Sequence, residues 1–194
     1  MAGVEIHGAH GYLLTQFLSS IENQRTDEWG GPLENRARLM REVVRAVRGA
    51  VPEEFVVGIR LSPEDAGNAR GLDLDENLQL ARWLCEDGID FLHLSLWDFR
   101  RNTTKYPECH AMGLFRAAIS DEVRLVAAGN IWTPAEAQEV IGLGADGVAL
   151  GRSAILNPDW ARRAAQPGWE PLRLPVTAAQ LAERGCSPVF VDYL

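Results

Sequence analysis

The chain has 194 residues, 46% hydrophobic and 24% charged, with 19 Lys and Arg against 27 Asp and Glu and a formal net charge of -8. This is the balance of a globular chain, and the acidic surplus argues against binding nucleic acid or anionic membranes, which takes clustered Lys and Arg to displace counterions. Met1 leads into AGVEIHGAHGY with neither a basic nor an apolar targeting region, and no apolar run approaches the roughly 18 residues of a membrane span, so a cytoplasmic protein is the default expectation.

Short β-branched runs alternate with longer stretches of helical period, the pattern of βα units on a parallel sheet. Strands are expected over residues 3–7, 55–61, 89–95, 124–128 and 147–151. The first is followed by a helix over 12–20. A second helix over 33–48 places Leu39, Met40, Val43, Val44 and Val47 on one face. Arg36, Arg38, Arg41, Arg45 and Arg48 then read as a solvated face, with Arg36 alternatively pairing with Glu34 or Asp27. The third helix, 74–86, ends at Asp87-Gly88, where glycine supplies a left-handed cap. The fourth, 134–143, opens on Thr133 and Pro134 and stops at Gly144. A Pro- and Gly-rich loop over 166–175 leads into a helix over 177–184.

Strand centres from Ile6 to Ala149 recur about every 36 residues, and eight such units make about 290 residues, within the range of a (β/α)₈ barrel. Five units fit here. The expected fold is therefore α/β, a partial TIM barrel over residues 1–165 corresponding to the C-terminal part, followed by a loop and helical tail over 166–194. Such a sheet would expose an apolar inner face and two unpaired edges, and would associate with a complementary N-terminal chain or a second copy.

Gly129-Asn130 follows the fourth strand and Gly151-Arg152 the fifth. Glycine-bearing loops after the last two barrel strands are where this fold binds phosphate: glycine lets backbone N–H groups approach, and Arg152 adds charge. Turn glycines are the plainer reading. His7 and His10 fall where the first strand ends, and two imidazoles three residues apart can both donate to one acceptor oxygen. A metal site is the rival, but no His-Glu-x-x-His motif exists, and none is expected to form. Tyr12 can serve as a proton donor or as a core aromatic. Arg60, inside an apolar run, needs a partner, whether a ligand or a strand carboxylate. His93 reads as a hydrogen-bonded core residue, and Cys109 and His110 as loop residues without a role. The three cysteines, Cys85, Cys109 and Cys186, are read as free thiols.

Several of these stretches resemble the Old Yellow Enzyme, or NADH:flavin oxidoreductase, family of FMN-dependent barrels. The specific stretch is Val4-Glu5-Ile6-His7-Gly8-Ala9-His10-Gly11-Tyr12-Leu13, then Gln16-Phe17-Leu18-Ser19, Arg25-Thr26-Asp27-Glu28-Trp29-Gly30-Gly31 and Glu34-Asn35-Arg36. Gly58 to Ser62, Ala128-Gly129-Asn130, and Gly151-Arg152 with Asn157-Pro158-Asp159 keep the same order, so the resemblance runs from residue 3 to about 165. It implies that His7 and His10 hold the oxygen of an activated alkene and that Tyr12 donates a proton. It also implies that Arg60 contacts the flavin pyrimidine, that Gly129, Asn130, Gly151 and Arg152 hold the FMN phosphate, and that NADH or NADPH is the electron donor. The small-molecule substrate would be an α,β-unsaturated carbonyl compound. The family's first three strands have no counterpart here, and the Cys-rich segment of its dienoyl-CoA reductase branch does not follow Asn157-Pro158-Asp159. Two rivals stand beside this expectation. One is a non-catalytic half-barrel that binds a partner chain; the other is an aldolase-type barrel, for which Lys105 is the only lysine available.

Overall fold

A computed structural model describes residues 2–65 and 70–193. Five strands, β1 (Gly3–Gly8), β2 (Val56–Leu61), β3 (Phe91–Ser95), β4 (Arg124–Ala128) and β5 (Gly147–Val148), form one sheet in chain order, and every neighbouring pair is parallel. Their connections carry the helices α1 (Leu13–Leu18), α2 (Leu33–Arg36), α3 (Arg38–Ala50), α4 (Leu74–Glu86), α5 (Ala111–Ala118) and α6 (Pro134–Gly142). After β5 come α7 (Arg152–Leu156), α8 (Trp160–Arg163), α9 (Ala178–Glu183) and α10 (Pro188–Tyr193).

The two sheet faces differ because side chains alternate along each strand. Ile6, Val57, Ile59, Leu61, Leu92, Leu94, Leu125 and Ala127 are buried with Met40, Val44, Leu80, Leu84, Met112, Phe115 and Val140 of the helices, and this is the main core. The opposite face carries Glu5, His7, Arg60, His93 and Ser95, with His7 beside Arg60 and Arg60 beside His93 in register. The expectation of an apolar inner face holds only in part: the polar row shares that face with half-buried Phe91 and Val126 and with exposed Val56.

Local chemistry fixes the ends of the units. Asp73 caps α4 by accepting from the Asp75 and Glu76 amides, and Thr133 forms a capping box with Glu136. Gly88 and Gly144, both at positive φ, end α4 and α6. Two residues later Asp90 and Asp146 make the same staple: Oδ2 accepts the Val57 or Leu125 amide at 2.7 Å, and their own amides bond to those residues' carbonyls at 2.7 Å. The sheet thus repeats one device, and β3 begins at residue 91 rather than 89 because Ile89 and Asp90 are used in it.

Three sequence expectations change. The helix over 33–48 breaks at Ala37 into α2 and α3. The arginines on it are only partly a solvated face: Arg36 is buried and pairs with Glu76 rather than Glu34 or Asp27, Arg41 and Arg48 reach Asp87 and Asp90, and Arg45 stays exposed while sharing Asp87. Helix α5 was not expected. His110, which was given no role, caps it through Nδ1 while its Nε2 pairs with the Phe99 carbonyl at 2.7 Å.

The tail is tied to the sheet end where β4 and β5 terminate. Asn157 bonds both the amide and the carbonyl of Leu172, Trp160 and Trp169 pack edge to face, and Leu181 of α9 is buried with Trp132 and Leu156.

Candidate active site at the C-terminal ends of the strands

The residues singled out in the sequence converge at one end of the sheet. β1 ends at Gly8, and the turn Ala9-His10-Gly11 that follows takes positive φ at His10 (64°) and Gly11 (73°). This folds the chain back so that the His7 ring lies 5.2 Å from that of His10 and 5.3 Å from that of Tyr12, centroid to centroid. Tyr12 is 61% exposed, which settles its sequence ambiguity against a core role.

Arg60, at the end of β2, has no carboxylate partner among the described residues. Its Nη2 donates to Ser95 Oγ at 2.8 Å, and the same oxygen lies 2.6 Å from His10 Nε2. Ser95, the last residue of β3, thus joins the arginine to the histidine cluster. Burial, the Arg60 charge and the neighbouring imidazoles His7 and His93 push the His10 pKa below its ordinary value, which favours the neutral ring.

On the other side of Arg60 opens a cleft of about 230 Å³, lined by Arg60, His93, the 128–132 loop and the 149–153 loop. All five residues expected to hold the cofactor, Arg60, Gly129, Asn130, Gly151 and Arg152, line it. They do so differently. A Cβ on Gly151 would meet nothing within 4 Å, whereas one on Gly129 would lie 2.8 Å from Leu96 Cβ and 3.1 Å from the Phe99 nitrogen. Close packing therefore explains Gly129, whereas neither packing nor a positive φ requires a glycine at position 151. Asn130, at φ 56°, uses its side chain inside the protein: Nδ2 donates to Asp98 at 3.2 Å, and Oδ1 accepts from Trp132 Nε1 at 2.9 Å. Arg152 reaches the same Oδ1 only at 3.5 Å and lies over the Trp132 ring.

Two buried nitrogens in the cleft wall, Arg60 Nε and His93 Nε2, have no hydrogen-bond partner among the described residues. His93 Nδ1 is 2.8 Å from Glu5 Oε2, as a hydrogen-bonded core histidine requires, and burial outweighs that carboxylate in lowering the His93 pKa. Sequence reasoning missed Glu5, Ser95 and Asp98. Ser95 carried a usable signal, since the C-terminal end of a barrel strand is where this fold places its chemistry. Lys105 is no Schiff-base candidate: it is ion-paired to both Asp73 and Asp75, which raise its pKa and keep it protonated.

The wall fits FMN in three respects. A converging arginine and open glycine suit a phosphate, the partnerless Arg60 Nε is a free donor, and the cleft joins two loop ends that a phosphate and a planar ring system would occupy. Comparisons with known proteins agree. Residues 1–168 match the model of the NADH:flavin oxidoreductase / NADH oxidase family. The chain is 39% identical over 164 residues to "Probable NADH-dependent flavin oxidoreductase YqiG" of Bacillus subtilis, covering 81% of this chain and 44% of that protein. It is 38% identical over 171 residues to "Probable flavin mononucleotide-dependent alkene reductase" of Leishmania infantum, covering 84% and 43%. The solved structure of an old yellow enzyme homologue from Zymomonas mobilis superposes with a TM-score of 0.75 at 27% identity, over 100% of this chain and 53% of that one. The chain thus spans about half the length of such relatives, as five parallel βα units of their barrel. On the match of 168 residues, with the fold and site order agreeing, the chain belongs to the NADH:flavin oxidoreductase / NADH oxidase family.

Proposed function

We propose that this chain supplies the substrate-oxygen donors and the phosphate end of the cofactor cleft in an FMN-dependent, NAD(P)H-consuming reductase of activated alkenes. The observation that supports this reading best is Ser95, bonded to Arg60 on one side and His10 on the other, which puts the donor cluster against the cleft. Arg60 would hold the pyrimidine edge of FMN, and Arg152 with the backbone at Gly129 and Gly151 its phosphate. Asn130 lines the same end of the cleft, its side chain bonded to Asp98 and Trp132. Hydride transfer between NADH or NADPH and an α,β-unsaturated carbonyl compound is the chemistry that bound FMN supplies.

The chain's own groups act on the substrate. His7 and His10 offer imidazole N–H donors to the carbonyl oxygen, where negative charge grows as hydride reaches the β-carbon, and preorganised donors lower a barrier most at such a point. The lowered His10 pKa favours the neutral, singly protonated ring in that role. The exposed Tyr12 phenol gives its proton to the α-carbon. One hydride from the nicotinamide and one proton from Tyr12 saturate the double bond, and solvent reprotonates the phenolate.

The test is to purify the protein, scan its visible absorbance, and follow NADH and NADPH oxidation with 2-cyclohexenone. Flavin absorbance together with enone-dependent oxidation supports the proposal. A colourless protein that FMN cannot reconstitute favours the non-catalytic half-barrel that binds a partner chain.

A further inference from the structure

The two partnerless nitrogens of the cleft wall differ in sense, and that difference limits what fits them. Arg60 on β2 and His93 on β3 are neighbours in register. Neither Arg60 Nε nor His93 Nε2 meets a hydrogen-bond partner among the described residues. A guanidinium nitrogen keeps its proton and can only donate. What His93 Nε2 can do is decided at the other ring nitrogen, and Glu5 holds that one.

Glu5 stands on β1, with β2 between it and His93. The β2 residue in register with Glu5 is Gly58, which puts no side chain between them. Glu5 Oε2 spans the strand and lies 2.8 Å from His93 Nδ1. A carboxylate accepts, so this bond selects the neutral ring with its proton on Nδ1 and leaves a bare lone pair on Nε2. The ring is 5% exposed, and burial lowers its pKa against the pull of Glu5, which favours the same neutral form. The wall thus carries one donor and one acceptor side by side. A single hydroxyl satisfies both: its oxygen accepts from Arg60 Nε and its hydrogen goes to His93 Nε2.

Strand order indicates which part of a cofactor would bring that hydroxyl. The cleft is lined by Arg60 on β2, His93 on β3, Gly129 after β4, and Gly151 with Arg152 after β5. With the pyrimidine at Arg60 and the phosphate at the last two loops, the segment joining them passes β3. In FMN that segment is the ribityl chain, a polyol. The flavin N3–H is also a donor, but only a hydroxyl serves both nitrogens with one atom. Resting on the FMN reading above, we infer that His93 accepts a hydrogen bond from a ribityl hydroxyl and that Glu5 is a positioning residue, fixing the tautomer that makes this possible.

The experiment titrates the flavin-free protein, by flavin fluorescence, with FMN and with an analogue whose phosphopentyl chain keeps the ring and the phosphate but lacks the hydroxyls. A neutral hydrogen bond corresponds to roughly 3- to 10-fold in Kd. His93→Phe should weaken FMN by that factor and the analogue by less than about twofold, and His93→Gln, whose side-chain oxygen accepts, should recover part of the loss. Glu5→Leu should reproduce the His93→Phe pattern, and Glu5→Gln, whose amide oxygen can accept from Nδ1, should soften it. Equal losses for both flavins, as a bridging water or a supporting wall would give, overturn the inference, and so does no loss. Nitrogen-15 spectra of the histidine rings test it without any substitution, should a variant fail to fold: His93 should carry its proton on Nδ1, and FMN but not the analogue should shift Nε2. A proton on Nε2 in the flavin-free protein overturns the inference. If FMN binds and enone reduction proceeds while the His93 and Glu5 variants leave Kd unchanged, the inference fails and the alkene-reductase reading stands; a protein that binds neither flavin ends both.

Discussion

Replacing Gly129 and Gly151 by Ala, one at a time, separates two reasons for a glycine in the phosphate-side loops. At Gly129 the added methyl would sit 2.8 Å from Leu96 Cβ, 3.1 Å from the Phe99 nitrogen and 3.2 Å from the Leu96 carbonyl oxygen. Ordinary contacts between carbons are about 3.5–4.0 Å, so the 96–99 turn must move by about 1 Å. That turn is fastened by the Leu96 amide to the Ala128 carbonyl at 2.8 Å and by the Phe99 amide to the Gly129 carbonyl at 3.0 Å. Overpacking of this kind costs about 1–3 kcal/mol, and at this chain length each kcal/mol lowers Tm by about 2–4 °C. At Gly151 the methyl meets no protein atom within 4 Å, so stability should hold to within about 0.5 kcal/mol, about 1–2 °C in Tm. The same methyl stands where a phosphate would approach, and losing one charge-assisted bond weakens FMN binding by about 1.5–3 kcal/mol, roughly 10- to 100-fold in Kd. Thermal denaturation without FMN and fluorescence titration with FMN read the two effects. A Gly151→Ala protein that loses as much Tm as Gly129→Ala and binds FMN normally would refute the assignment.

Arg36→Met should destabilise by about 3 kcal/mol or more in thermal denaturation, because it removes a buried cation and leaves the Leu18 and Gly31 carbonyls and Glu76 without their donor. Stability should fall with pH below about 6.5, where an unfolded histidine takes up a proton that the buried His93, its pKa lowered, refuses; the effect is present above that pH, lost on acidification, and flattened in His93→Gln when Tm is followed from pH 7 to 5. In the FMN-loaded protein, His7→Ala with His10→Ala should weaken binding of phenols that mimic an enolate and slow alkene reduction. Tyr12→Phe should slow that half-reaction alone, and stopped-flow reoxidation at the unmodified rate would dismiss Tyr12 as the proton donor.

Much of this was legible in the sequence where one local rule decided the outcome. Thr133-Pro134 and Gly144 marked both ends of α6, and Asp87-Gly88 the end of α4, because caps are set by a few adjacent residues. The motif residues were placed at strand ends for the same reason: β-branched runs stop where Gly and His begin. What escaped was settled by partners distant in the chain. The arginines of α3 look like a solvated face until α4 brings Asp87 and Asp90 against them. Helix α5 is only eight residues long and is capped by a histidine, an unusual cap that no sequence rule favours. Gly129 and Gly151 are indistinguishable as letters, and only the 96–99 turn, about thirty residues upstream in the chain, tells packing from open space.

The polar row on the sheet gives a physical reason for placing the proposed site there. His7, Arg60 and His93 stand in one register row on adjacent strands, with Glu5 and Ser95 bonded into it. Placing an arginine and two histidines side by side on a sheet opposes stability, since each buried nitrogen left without a partner costs about 1–3 kcal/mol, and Arg60 Nε and His93 Nε2 are two such atoms. The other face, packed on its helices by fully buried Val57, Ile59, Leu92, Leu94 and Leu125, supplies the burial that offsets this cost. Local rules are broken in proteins chiefly where function requires it, and positive φ at His10 and Asn130 and the unpartnered Arg60 Nε and His93 Nε2 fall together on the polar row and the strand ends, while Thr15 Oγ1, Arg116 Nε and Asp159 Oδ1 are unpartnered elsewhere among the described residues. A bound ligand that accepts from Arg60 would convert part of that cost into affinity, so FMN should raise Tm by more than the same ligand does in an Arg60→Leu protein.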